Sequence, residues 1–264
     1  MTENFARHIA EGDQQPELRR QFDLVAASWD AKHGPDSARA AELAARVRYL
    51  RSVCGGLGRP RVLDLGCGTG EVLRQLSPVI QAGIGVDISR AMIERARRHS
   101  ENDRLQFHVA DAVQFCNQCQ DRFELVLLVG VLDHLPDPDF AVAAVRRVIG
   151  PGGRLIIVSP HPWGPIFLLK RLAHFGREVP PANHLSPRRL IALAGQHGLR
   201  LVRVRALPYA PWPVLSPLFA RLPTTGLFGP RSSLTGAALG AFATEFCLTK
   251  ACRENSLITP VLSR

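Results

Sequence analysis

The feature that most constrains the fold of this chain is a short apolar segment that runs directly into a glycine-rich loop. Residues 61–65 read RVLDL, and residues 66–70 carry glycine at every second position. Glycine lets the backbone turn tightly and approach a ligand closely. Such a loop after a strand is typical of open α/β sheets, which bind ligands beyond the carboxyl ends of their parallel strands. The segment therefore predicts an α/β sheet with a ligand at this loop.

Apolar strand-like segments alternate with helix-like segments over about residues 37–160. The segment 123–129 is almost continuously apolar, as expected for a strand buried on both faces. The strand-like segments are residues 61–65, 83–87, 105–109, 123–129, 154–158, 199–206 and 242–249. This alternation predicts a mostly parallel sheet with helices on both faces.

Composition narrows the class of protein. The chain has 264 residues, 46% hydrophobic and 21% charged, which fits one large domain and argues against a disordered chain. No uninterrupted apolar run reaches membrane-spanning length, so we expect a cytoplasmic protein. The formal net charge of +10 leaves two interpretations open. Scattered surface arginines are favoured, and a surface for nucleic acid or peripheral lipid contact is the alternative.

The six cysteines include one C-x-x-C pair, Cys116 and Cys119. A structural metal site of this kind needs further ligands at a suitable spacing, and the sequence offers no second C-x-x-C or H-x-x-x-H. We therefore interpret these residues as ordinary thiols and predict no metal site.

An acidic residue inside the glycine loop indicates the charge of the ligand. Asp64 lies two residues before Gly66, where the strand runs into the glycines. A carboxylate is a poor neighbour for a pyrophosphate and a good one for a cation, and the spacing is not the G-x-G-x-x-G of dinucleotide sites. S-adenosylmethionine carries an ammonium and a sulfonium and no phosphate. These details favour that cofactor over a nicotinamide dinucleotide.

Acidic residues also follow the next two predicted strands. Asp87 ends the second strand, where a carboxylate can accept hydrogen bonds from both ribose hydroxyls. Asp111 and Ala112 follow the third strand, where an acid and a backbone amide can pair with adenine. After the fourth strand, His134 is a candidate general base because imidazole titrates near neutral pH. The alternative is that His134 only shapes the pocket.

Several segments together resemble the class I S-adenosylmethionine-dependent methyltransferases. Residues 62–70, VLDLGCGTG, resemble their first motif, residues 85–89 their second, and residues 109–112 their adenine-contacting segment. Residues 134–138, HLPDP, look like the segment after strand four. The chain is most similar to the small-molecule branch that includes ubiquinone and menaquinone methyltransferases. The resemblance covers about residues 20–160 and, more loosely, continues to residue 205.

The resemblance implies a Rossmann-like, seven-stranded sheet with an antiparallel last strand. It implies S-adenosyl-L-methionine as cofactor and a small-molecule acceptor. It also implies that residues 1–36 form a helical cap segment that folds over the cofactor, ahead of a methyltransferase domain at residues 37–264. The cofactor contacts that it implies are Asp64, Gly66, Cys67, Gly68, Gly70, Asp87, Ile88, Asp111, Ala112 and Val129.

Other functions remain open at this point. An RNA methyltransferase is suggested by the charge, but enzymes that methylate base amines resemble one another in an Asn/Asp-Pro-Pro-aromatic motif, and residues 130–133 read GVLD. A nicotinamide-dependent oxidoreductase is the second alternative, but this sequence contains no Tyr-x-x-x-Lys pair of the kind found in such enzymes. A non-catalytic cofactor-binding partner protein is the third alternative.

The acceptor is expected at two irregular insertions, about residues 160–185 and 207–240. Both contain aromatic and apolar residues, including Trp163, Phe167 and the segment 208–213, PYAPWP. We predict that they cover an apolar or aromatic acceptor, most simply methylated at oxygen, although ordinary packing of long insertions is an equal alternative. Two further histidines in the first insertion, His161 and His184, are lower-ranked candidates for the base.

Overall fold

The computed structural model describes residues 15–37, 39–160, 185–207 and 241–248, and these contain one seven-stranded sheet. The strands are β1 Arg61–Leu65, β2 Ala82–Asp87, β3 Leu105–Val109, β4 Phe123–Val129, β5 Ile149–Pro160, β6 Leu199–Leu207 and β7 Ala241–Leu248. Their order is β3-β2-β1-β4-β5-β7-β6. Strands β1 to β5 pair in parallel, and β7 runs antiparallel to both β5 and β6. The predicted Rossmann-like sheet with an antiparallel last strand is confirmed.

This strand order places the binding cleft. From β1 the chain builds outward through β2 and β3, and it then returns to add β4 on the other side of β1. The order therefore reverses between β1 and β4, and the loops that leave these two strands diverge. In open parallel sheets, this divergence opens a crevice at the carboxyl ends of the strands.

Helices flank the sheet. They are α1 Pro16–Ala26, α2 Trp29–His33, α3 Ala40–Leu57, α4 Glu71–Leu76, α5 Arg90–Arg98, α6 Ala112–Gln118, α7 Pro138–Val148 and α8 Pro187–Gln196. Four of them begin at a side chain that accepts a hydrogen bond from the first turn: Ser89, Asp111, Asp137 and Ser186. These caps satisfy N–H groups that have no partner inside a helix.

The core forms one hydrophobic cluster on each face of the sheet. Along β4, Leu125 and Leu127 belong to one cluster, and Val126 and Leu128 belong to the other. Side chains of a strand alternate between faces, so a strand covered on both sides needs an apolar residue at every position. The apolar run at 123–129 is explained by this arrangement.

Two element boundaries depend on glycine or differ from the sequence pattern. Helix α3 continues through Gly55 to Leu57 and ends at Gly58, whose φ of +67° is the left-handed conformation that terminates helices. Strand β5 begins at Ile149, five residues before the predicted segment 154–158, and shows a register shift against β4.

Residues 161–184 and 208–240 make up nearly all of the two predicted insertions, about 160–185 and 207–240, and lie outside the described residues, as do His161 and His184. Within the described part of the chain, no helix is long and apolar enough to cross a membrane. The cysteines described there, including Cys116 and Cys119, are free thiols.

Candidate active site

The glycine loop after β1 is tightly enclosed. Gly66 has a φ of +73°, and a Cβ at this position would lie 2.5 Å from the side chain of Val131. Gly68 has a φ of +55°, and its absent side chain leaves room for the Trp29 indole, 3.4 Å from the position of a Cβ. Both positions require glycine for conformation. The loop thus passes between Val131, which follows β4, and Trp29 of α2 at the mouth of the crevice.

Asp87 holds this loop from the end of β2. Its Oδ2 accepts a hydrogen bond from the backbone N–H of Gly68 at 2.8 Å, and its Oδ1 accepts one from Ser89 N–H at 2.9 Å. Burial raises the pKa of Asp87 to about 6, although these two N–H donors oppose the shift. The carboxylate is therefore fixed in position before any ligand binds.

Asp64 lies beneath the loop and is 1% exposed. Within the described residues its Oδ1 has no hydrogen-bond partner. Burial, and then the charge of Asp87, raise its pKa to about 7, and the charge of Arg46 on α3 lowers it. A buried acid with an unsatisfied oxygen is costly unless a ligand completes it. The site therefore fits a cationic group.

Asp111 both starts α6 and faces the crevice. Its Oδ1 accepts from the N–H groups of Val113 and Gln114, each at 2.9 Å. Its Oδ2 accepts from Nε2 of Gln15, at 3.0 Å. The next residue, Ala112, also lines the crevice, so an acid and a helix N-terminal backbone meet there.

His134 ends a short 3-10 turn, Leu132–His134, that follows β4. The half-buried imidazole lines the crevice, with the Phe22 ring edge-on at a centroid distance of 5.4 Å and an angle of 88°. The neighbouring Asp133 is 4% exposed, and burial raises its pKa to about 7. The side chain of the buried Ser159 hydrogen-bonds to the Asp133 carboxyl and opposes this rise in pKa.

Helices α1 and α2 form a strap, residues 16–33, across the open side of the crevice. Asp23 Oδ1 accepts from Ser89 Oγ at 2.5 Å and from Ala91 N–H at 3.1 Å. Asp30 Oδ1 accepts from Thr69 Oγ1 at 2.6 Å, and its Oδ2 pairs with the Arg95 guanidinium at 3.2 Å. Two carboxylates thus attach the strap to the glycine loop and to the start of α5.

The crevice between this strap and the sheet collects most of the predicted cofactor contacts. Those that line it are Gly66, Gly68, Asp87, Ile88, Asp111, Ala112 and Val129. The other three lie behind the surface of the crevice. Asp64 is buried below the loop, the Cys67 thiol lies close to Gly85, and Gly70 packs against Phe107. Burial also raises the pKa of the Cys67 thiol. The role of each residue as a cofactor contact stays a prediction.

Three residues in or beside this site carry no signal in the sequence that marks them out, namely Gln15, Arg46 and Asp133. Arg46 is one of several arginines along α3, and no local pattern distinguishes it from Arg48 or Arg51. Gln15 lies 96 positions from Asp111, its partner. Only the tertiary structure brings these residues to the site.

Comparison with known proteins agrees with this architecture. Residues 63–157 match a family described as a methyltransferase domain. The ubiquinone biosynthesis O-methyltransferase of Aeromonas salmonicida is 24% identical over 200 residues, which cover 72% of this chain and 84% of that protein. Its counterpart in Alkalilimnicola ehrlichii is 26% identical over 200 residues, covering 72% of this chain and 81% of that protein.

Solved structures of low sequence identity share the fold. The magnesium protoporphyrin IX methyltransferase of Synechocystis with bound S-adenosylmethionine is 16% identical, with a TM-score of 0.60, and the match covers 90% of this chain and 99% of that one. The complex of DhpI with S-adenosylhomocysteine is 21% identical, with a TM-score of 0.58, covering 87% and 94%. Residues 63–157 therefore form a methyltransferase domain, and the chain resembles the ubiquinone-type members of the class I S-adenosylmethionine-dependent methyltransferases.

Proposed function

We propose that this enzyme transfers a methyl group to an oxygen atom of a small apolar or aromatic acceptor. The observation that carries the proposal is the position of His134, which lines the crevice directly after β4. The relatives named above are O-methyltransferases, which supports oxygen as the accepting atom. The arrangement gives a hydroxyl acceptor the base that it needs.

The crevice offers complementary groups for each part of the cofactor. S-adenosylmethionine supplies a methyl group already activated on a sulfonium. Asp64, buried beneath the glycine loop, supplies a carboxylate that suits the methionine ammonium, and the nearby Arg46 supplies a positive charge that suits the methionine carboxylate. Asp87 is the acceptor for the ribose hydroxyls. Asp111 and the backbone of Ala112 are the partners for adenine.

The chain's own contribution to the transfer is alignment and removal of a proton. Alignment of the acceptor oxygen with the methyl group lowers the entropic part of the barrier. The His134 imidazole accepts the hydroxyl proton during the transfer, because a neutral imidazole has one unprotonated ring nitrogen. Phe22 packs edge-on against the ring and restricts its rotation. His161, in the first insertion, is the second candidate for this role.

The acceptor pocket is proposed to be completed by the two insertions. Residues 161–184 directly follow β5, and residues 208–240 connect β6 to β7, the strand that pairs with β5. Their aromatic and apolar composition suits a lid over an apolar acceptor.

The test is methylation of a panel of phenols and catechols with S-adenosylmethionine labelled in its methyl group. We expect product in the wild type, and a loss of turnover of roughly 100-fold or more in His134→Gln, with cofactor affinity kept. His197→Gln is the matched control, because the half-buried His197 pairs with the exposed Asp139 and does not line the crevice. An unchanged rate in His134→Gln would remove His134 as the base. Product methylated only at ring carbon would contradict oxygen transfer.

A further inference from the structure

Gln15 makes an unusual contact for its place in the chain. It occupies the N-cap position of α1, where a side chain commonly accepts a hydrogen bond from the first turn of its own helix. The Gln15 side chain makes no such cap bond. The side chain instead extends from the residue directly before the strap across the crevice, and its Nε2 donates to Asp111 Oδ2 at 3.0 Å. The strap therefore contributes a polar group to the end of the crevice where Asp111 lies.

Asp111 gives this contact a fixed geometry. Its other oxygen, Oδ1, is held by two backbone N–H groups at the start of α6, so the carboxylate cannot rotate freely. A carboxylate oxygen accepts hydrogen bonds, so Nε2 of Gln15, and not Oε1, faces Asp111. The carboxamide consequently has a defined orientation where it lines the crevice, beside Ala112.

We propose that Gln15 is a specificity-determining residue that reads the amino edge of adenine together with Asp111. This inference rests on the proposed placement of adenine at Asp111 and Ala112. The adenine amino group carries two N–H donors, and the neighbouring ring nitrogen is an acceptor for the Ala112 N–H. Because Nε2 of Gln15 faces Asp111, Oε1 is the atom that accepts one amino N–H, while the Asp111 carboxylate accepts the other. A base with oxygen in place of the amino group would set an acceptor against both Oε1 and the carboxylate. The pair therefore selects adenine over its six-oxo counterpart.

The experiment compares two cofactor products by calorimetry, S-adenosylhomocysteine and its six-oxo analogue S-inosylhomocysteine. The measured quantity is the ratio of their affinities, which cancels general effects of a substitution on the crevice. We expect this ratio to fall roughly 3- to 10-fold in Gln15→Leu, the effect of one lost neutral hydrogen bond. Gln15→Ala is the second variant, and thermal unfolding verifies that each variant is folded.

Gln21→Leu is the matched control. Gln21 belongs to the same helix, and its side-chain amide donates to Glu17 at 3.0 Å on the exposed side. We expect the affinity ratio of this variant to equal that of the wild type. An unchanged ratio in both Gln15 variants, or an equal change in Gln21→Leu, overturns the inference while the proposed function stands. Absence of S-adenosylhomocysteine binding in the wild type instead overturns the proposed cofactor site itself.

Discussion

At the scale of single residues, the site is built from carboxylates that the fold holds before any ligand arrives. Asp87 accepts from two backbone N–H groups, and Asp111 accepts from two others. Prearranged acceptors of this kind reduce the ordering cost of binding. The same bonds give Asp87 two tasks, because it supports the glycine loop and is also the proposed partner of ribose.

The first prediction concerns Asp87. Asp87→Ala is expected to weaken S-adenosylhomocysteine binding by roughly 3 kcal/mol or more, because charge-assisted hydrogen bonds to the ribose are lost. Calorimetry measures this change. Asp121→Ala removes the same charge from an exposed position paired with Arg61, and it should bind as the wild type does. Wild-type affinity in Asp87→Ala would refute the proposed ribose contact.

The residues that sequence alone predicted share one property, which is their position at a strand end. Asp87 and His134 follow strands that the apolar pattern locates, so the rule for parallel sheets places them in the crevice. Arg46 lies on α3 and Gln15 occupies the N-cap position of α1, and both helices reach the site only through tertiary packing. The packing of those helices depends on contacts between distant parts of the chain, and no local pattern encodes it.

At the scale of elements, the strap differs from the strands because side-chain hydrogen bonds and an ion pair, and not a sheet ladder, hold it to the rest of the site. Its bonds join α1 to the start of α5 and α2 to the glycine loop. Sequence resemblance indicated a cap segment here, but not which residues attach it. The attachments are few and partly exposed, so release of the strap costs far less than unfolding of the sheet.

The second prediction tests this attachment. Asp30→Ala removes the bonds to Thr69 and Arg95 and should raise the dissociation rate of S-adenosylhomocysteine about 10-fold, the effect of one hydrogen bond and one partly exposed ion pair. Stopped-flow measurement of ligand release gives the rate. Asp36→Ala is the control, because Asp36 is an exposed acid just after the strap. Equal rates in Asp30→Ala and in the wild type would show that Asp30 does not hold the crevice closed.

At the scale of the whole molecule, the fold buries several acidic side chains between the seven-stranded sheet and its surrounding elements. The apolar core offers these acids no positive charge in compensation. Asp64, Asp87 and Asp133 all have raised pKa values, chiefly because burial disfavours the charged form. Sequence predicted the sheet because strand and helix periods differ, and it predicted nothing of this electrostatic cost. Burial of a side chain is a property of the assembled fold.

The last prediction follows from proton linkage. A carboxyl whose pKa is raised from about 4 in the unfolded chain to about 7 binds more protons when folded, so its contribution to stability is complete below about pH 4 and is lost as the pH rises to about 7. Asp133→Asn removes one such group. Relative to the wild type, this variant should become more stable as the pH rises, by at most about 1.4 kcal/mol per pH unit. Urea unfolding at about pH 5 and about pH 8 measures the difference. The exposed Asp121→Asn serves as control. A parallel pH dependence in the wild type and in Asp133→Asn would show that folding does not raise the pKa of Asp133, and would contradict the prediction.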